Sequence, residues 1–177
     1  MRPAADKKWH KVLYFLFFFV FLSRISCIYI FKPLLMKVLI KLKNQVDELE
    51  RLQHFVEKIG GELGLDMELV MNMKLVMEEM VSNVIFYGYP KDTEGTIELA
   101  VDLDEKELTF VLSDQGCEFD PTLTEEPDLN INPAERRIGG MGIFIAKHIM
   151  DSVAYQRQEG KNILIMKKNI SNYDTNI

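Results

Sequence analysis

Residues 37–42, Lys-Val-Leu-Ile-Lys-Leu, carry a short strand-like apolar pattern between two lysines. Beyond it the period lengthens: Leu49, Leu52, Phe55, Val56 and Ile59 recur at three- and four-residue steps. This predicts a helix capped by Asn44, running to about Ile59 and stopped by Gly60-Gly61. Asp66 is the expected cap of a second helix over 67–87, with Leu69, Val70, Met73, Val76, Met77, Met80 and Val84 as its stripe. Met71 is assigned to core packing with its neighbouring methionines, and Gly88-Tyr89-Pro90 ends the helix. Residues 96–103 and 107–113 alternate around the acidic turn Asp104-Glu105-Lys106 and read as an antiparallel hairpin. Residues 115–140 carry little apolar period, and a loop of that length inside a domain is expected to be functional or disordered. A third helix is expected over 142–153, with Ile143, Ile145, Ala146, Ile149 and Met150 inward. A final hairpin of 154–158 and 162–167 turns at Glu159-Gly160-Lys161. The order predicts a two-layer α+β sandwich.

Composition narrows the function classes. The 177 residues suffice for one domain, and 47% apolar with 27% charged residues excludes a mainly disordered chain. Residues 1–35 hold six basic residues against Asp6, whereas 15 basic and 26 acidic residues from Met36 onward leave a net charge of −11. An acidic domain is a poor match for a phosphate backbone, so nucleic acid is disfavoured and a basic protein partner is favoured. Cys27 and Cys117 form neither a C-x-x-C pair nor a disulfide framework, which points to a cytoplasmic protein.

The first 35 residues stand apart. Residues 12–22 are an unbroken apolar run, continued over 25–31 after Arg24. Eleven residues are short for a membrane span, which needs about 20, though 12–31 would suffice with Arg24 tolerated. A basic start before a short apolar run also resembles a signal peptide. Lys7, Lys8 and Lys11 would hold the N-terminus inside and send the remainder outside, a poor arrangement for an intracellular domain. The favoured expectation is that Met36, just before the first strand, is the true start and residues 1–35 are translated upstream sequence. A membrane anchor is the second reading. The expected division is then an extension over 1–35, one domain over 36–170 and a tail over 171–177.

Three patches carry chemistry. Glu79 and Asn83 are four apart and share a helix face, where a carboxylate can orient a nucleophile and an amide oxygen can ligate Mg²⁺. An isolated pair at this spacing belongs more often to a solvated face, but Asn83 lies in the most apolar stretch of its helix. Asp114-Gln115-Gly116-Cys117-Glu118-Phe119-Asp120-Pro121 follows a strand. Asp114 can accept a purine amine and Gly116 permits close approach of a base, although Asp-x-Gly is also an ordinary turn. Arg136-Arg137-Ile138-Gly139-Gly140-Met141-Gly142 leads into a helix, a place where backbone N–H groups and arginine charge suit phosphates. Neither G-x-x-x-x-G-K-[ST] nor a Rossmann G-x-G-x-x-G is present. His54 and His148 read as surface or packing residues.

Helix E-x-x-x-N, strand D-x-G-x-x-F-D-P, a lid and G-G-x-G opening a helix, in that order, resemble the GHKL ATPase superfamily. FDP and PAERRIGGMGIFIAKHIMDSV resemble its anti-sigma-factor serine kinases. The resemblance implies a Bergerat-type two-layer α/β sandwich, with a mixed, mostly antiparallel sheet backed by helices, binding ATP and Mg²⁺. It implies Asn83 as Mg²⁺ ligand and Glu79, rather than adjacent Glu78, as catalytic carboxylate. It further implies Asp114 with Gly116 at the adenine, Gly139, Gly140 and Gly142 around the phosphates, and Arg136 or Arg137 neutralising them. The implied partners are an anti-anti-sigma (STAS-type) protein phosphorylated on serine, a sigma factor, and a second copy of the chain as a homodimer. The acidic lid residues Glu125, Glu126, Asp128 and Glu135 depart from a uniformly favourable field near phosphate. Two other functions compete: a nucleotide-gated binding module without phosphotransfer, and the ATP-binding domain of a membrane-anchored sensor kinase.

Overall fold

The computed structural model describes residues 37–124, 141–171 and 173. All of them lie in the unit Met36–Ile177. The apolar run over 12–31 and most of the long loop therefore fall outside the described residues. Strand β1 spans Val38–Lys43, helix α1 Glu48–Glu62 and helix α2 Met67–Asn83. A wide π turn, Val84–Gly88, extends α2. Strands β2 (Thr96–Asp104) and β3 (Glu107–Asp114) follow, then a 3-10 turn at Pro121–Leu123. Helix α3 (Met141–Ile149) precedes β4 (Ser152–Gln158) and β5 (Lys161–Asn169).

The strands form one sheet in the order β1-β2-β3-β5-β4. Every described pairing is antiparallel, within an expectation of a mixed, mostly antiparallel sheet. The reason is positional: β4 runs parallel to β3 but sits beyond β5 at the edge, so no parallel neighbours meet. Period-two alternation turns Leu99, Val101, Leu108, Phe110, Leu112, Leu164 and Met166 inward, all buried. The helices cover that face with Leu52, Val56, Leu69, Met73, Val76, Met77, Ile143 and Ala146. This is an α+β sandwich of two layers.

Four expectations need correction. The pair Gly60-Gly61 does not stop α1, which runs through to Glu62. Gly60 is buried, and a methyl group there would overlap the Val70 side chain of α2, so the glycine serves close helix packing. Asn44 caps nothing. Its amide donates to the Thr93 carbonyl (2.8 Å) and accepts from the Gly95 N–H (2.8 Å), clamping the β1 end to the loop before β2. Helix α3 stops at Ile149, because Ser152 and Val153 already pair with β5. Met71 is exposed, being two residues off the buried stripe that carries Met73, Met77 and Met80. Other signals hold: Asp66 accepts from the Leu69 N–H (2.7 Å) at the start of α2. The β4–β5 turn has Glu159 and Gly160 both at positive φ, as a two-residue hairpin turn requires.

Candidate functional site

The rotation of α2 is fixed by its cap and by Val76, Met77, Met80 and Val81, which are buried to 2% exposure or less. Glu79 and Asn83 consequently lie on one flank, half-buried, facing the start of α3. The buried second residue of α3 is Gly142. A methyl group on it would lie 2.6 Å from Glu79 Oε2, 3.1 Å from Glu79 Cβ and 3.3 Å from Asn83 Nδ2. Residues 63 positions apart in sequence are thus in contact. Glu78 is turned the other way, and its Oε2 accepts from Gln53 Nε2 (2.6 Å) on α1. The first N–H groups of α3 have no intrahelical acceptor, and with the helix dipole they favour an anion.

The second patch is held from below by the sheet. Asp114 ends β3, is only 6% exposed and stands directly opposite Asn162 of β5. Its Oδ1 accepts from the Gly116 N–H (2.7 Å) and from Asn162 Nδ2 (2.9 Å). Gly116 packs against the π turn, where a Cβ would overlap the Gly88 carbonyl. That carbonyl accepts from the Cys117 N–H (2.6 Å). Tyr89 braces the same turn by accepting from the Gln115 N–H and donating to the Thr96 carbonyl (3.1 Å each). Burial, with the Asp114 carboxylate second among the raising causes, pushes the Tyr89 hydroxyl above its ordinary pKa. An open groove of about 650 Å³ touches Gln115, Gly116 and Cys117 together with Lys43, Asn44 and Tyr89. It is not lined by Glu79, Asn83 or Gly142.

Asp120 shapes the 3-10 turn at Pro121–Leu123. Its Oδ1 accepts from the Thr122 N–H (2.9 Å) and hydroxyl (2.6 Å), with Pro121 opening the 3-10 turn. Lys147 of α3 donates to the Thr122 carbonyl (3.0 Å), tying that turn to the helix. Arg136, Arg137, Gly139 and Gly140 lie outside the described residues. His54 and His148 are exposed, and His148 Nδ1 lies 2.8 Å from the Phe144 carbonyl one turn earlier.

Sequence reasoning missed Asn162, Arg157 and Tyr155. Asn162 Oδ1 receives hydrogen bonds from Arg157 Nη1 (2.6 Å) and the Tyr155 hydroxyl (2.9 Å). A signal was available: in Asn162-Ile163-Leu164-Ile165-Met166 the inward positions are 162, 164 and 166, so an amide takes a core place.

Comparison with known proteins adds to this geometry. Residues 42–168 match the family described as the histidine kinase-like ATPase domain. A serine-protein kinase RsbW from Staphylococcus epidermidis is 29% identical over 109 residues, covering 59% of this chain and 69% of that protein. An anti-sigma F factor from Clostridium acetobutylicum is 29% identical over 121 residues, covering 64% and 79%. Among solved structures, the RsbU and RsbW domains of a Mycobacterium tuberculosis protein superpose with a TM-score of 0.55 at 15% identity. That match covers 76% of this chain and 32% of the solved one, so this chain spans about a third of it and shares its fold.

Proposed function

Because the chain belongs to the histidine kinase-like ATPase domain family, we propose that it is an ATP- and Mg²⁺-dependent serine kinase of the anti-sigma type. The observation that carries this is the convergence of Glu79, Asn83 and Gly142. It brings a carboxylate, an amide side chain and a helix N-terminus together. Glu79 orients the acceptor hydroxyl and takes its proton as the serine oxygen bonds to the γ-phosphorus. The bond from that phosphorus to the β–γ bridging oxygen breaks, and ADP leaves. The start of α3 faces the phosphate chain, and the missing side chain of Gly142 lets that helix end approach Glu79 and Asn83. Asn83 fits the sparse hard-oxygen set that Mg²⁺ accepts when phosphates and water complete its shell. Asn83 would hold the ion, which supplies neutralising charge. At the other end Asp114 receives the adenine amine, with Gly116 beside it.

Gly139, Gly140 and either Arg136 or Arg137 complete the phosphate enclosure in this reading. The recipient is a serine on an anti-anti-sigma protein of STAS type. A sigma factor is the second partner and a homodimer the working assembly. Supporting these partners are the names of the relatives, a serine-protein kinase and an anti-sigma F factor. The test is incubation with γ-labelled ATP and the small anti-anti-sigma-type proteins of the same cell. Phosphoserine on one of them is the expected result. ATP binding with no labelled acceptor would leave only the nucleotide-gated binding module.

A further inference from the structure

Asp114, Asn162 and Arg157 form one cross-strand row, directly opposed on β3, β5 and β4. Asn162 is 8% exposed, and all four of its amide hydrogen-bonding positions are used. Its Oδ1 faces Arg157 Nη1 and the Tyr155 hydroxyl, while Nδ2 donates to Asp114 Oδ1 and to the Cys117 carbonyl (2.9 Å each). The chemistry of the neighbours fixes this orientation. A guanidinium only donates and a carbonyl only accepts, so a flipped amide would oppose like to like at both ends. Asp114 Oδ1 is thereby filled by two donors, the Asn162 amide and the Gly116 N–H. A ligand approaching this carboxylate meets Oδ2, which can only accept while the acid is ionised. Arg157 also donates to the Gly116 carbonyl (3.2 Å), so one side chain on the edge strand holds both the amide and the turn.

We propose that Arg157 and Tyr155, acting through Asn162, are specificity-determining positioning residues that make this site select a purine bearing a 6-amino group over one bearing a 6-oxo group. The inference rests on the nucleotide-binding reading above. Arg157 and Tyr155 need not touch the base; they set the direction in which Asn162 donates. If Arg157 is lost, Asn162 Oδ1 keeps only the Tyr155 hydroxyl, and the amide is held less firmly in line with Asp114. The carboxylate then shifts, and an amine loses its aligned acceptor while an oxo group loses less.

Adenosine and inosine diphosphates differ at position 6, an amine against an oxo group with its ring proton, so their affinity ratio reads this selection directly. Calorimetric titration of the full chain with each should show preference for the adenosine form. Arg157→Leu keeps the apolar stem and should lower the ratio about tenfold, the scale of one hydrogen bond to a charged group. Tyr155→Phe should lower it less, and Asn162→Ala by at least as much as Arg157→Leu. If Asn162→Ala fails to fold, the two β4 variants still decide the question. Variants that weaken both nucleotides equally, with the ratio unchanged, would overturn the inference and leave nucleotide binding intact. A native chain that binds neither diphosphate would overturn both.

Discussion

The two ends of the candidate site are built on opposite plans. At the end proposed for the base, hydrogen bonds join Asp114 Oδ1, Asn162, Arg157, Tyr155 and the Gly116–Cys117 backbone into one network. At the end proposed for the phosphates, among the described residues, no hydrogen bond or ion pair holds the Glu79 carboxylate or the Asn83 amide. The difference teaches where rigidity is useful. Recognising a flat base needs a fixed acceptor, and pre-paid ordering gives that. Chemistry at a phosphate needs groups whose strongest interactions form only with the reacting atoms.

This contrast can be broken one end at a time. The largest effect is expected for Glu79→Gln: phosphoserine formation should fall about 10²–10⁴-fold, with ADP affinity changed by little, because only proton transfer is removed. Label transfer and calorimetry on the same preparation check it. Gly142→Ala should come next. The new methyl meets Glu79 Oε2 at 2.6 Å, the far end of a flexible side chain. The carboxylate swings aside at small cost in stability, and transfer should drop about 10²-fold with little change in Tm, as a misplaced group does. Gly116→Ala should show the reverse signature. Its methyl meets a backbone carbonyl that cannot swing, so the fold should lose about 1–3 kcal/mol in urea titration. Equal losses for the two alanine variants would erase the distinction between the ends.

The smallest expected effect is Tyr89→Phe, which removes two hydrogen bonds to backbone and about 1–2 kcal/mol. It also carries a pH signature. Burial raises the Tyr89 hydroxyl above its ordinary value of 10.0, so the folded state holds the proton longer than the unfolded chain. This contribution is therefore present below pH 10 and lost as pH rises through the folded value. Urea titrations of wild type and Tyr89→Phe should converge as pH rises above 10. A constant gap across that range would show that Tyr89 does not titrate as a buried group.

Much of the fold was legible because local periodicity and tertiary burial agree. The strands β2, β3 and β5 alternate cleanly, and Asp66 announces its helix. What stayed hidden depends on contacts between distant segments. Gly60 reads as a stop until Val70 is seen against it, and Asn44 reads as a cap until Thr93 and Gly95 come within reach. The site follows the same rule. Glu79, Asn83, Asp114 and Gly142 were visible as residue types in a telling order. Arg157 on an edge strand has no local signature; only the β3-β5-β4 register shows that it stands over Asn162.

The π turn at Val84–Gly88 has a consequence for how such a chain can diverge. A wide turn holds one residue more than an α-helical path of the same span. Deleting any one of its five residues would turn the following backbone by roughly 100° and draw it back by about 1.5 Å. The Gly88 carbonyl would then leave the Cys117 N–H. Point substitutions at the exposed Phe86 and Tyr87 leave that carbonyl in place. The segment is open to changes of letter and closed to changes of length.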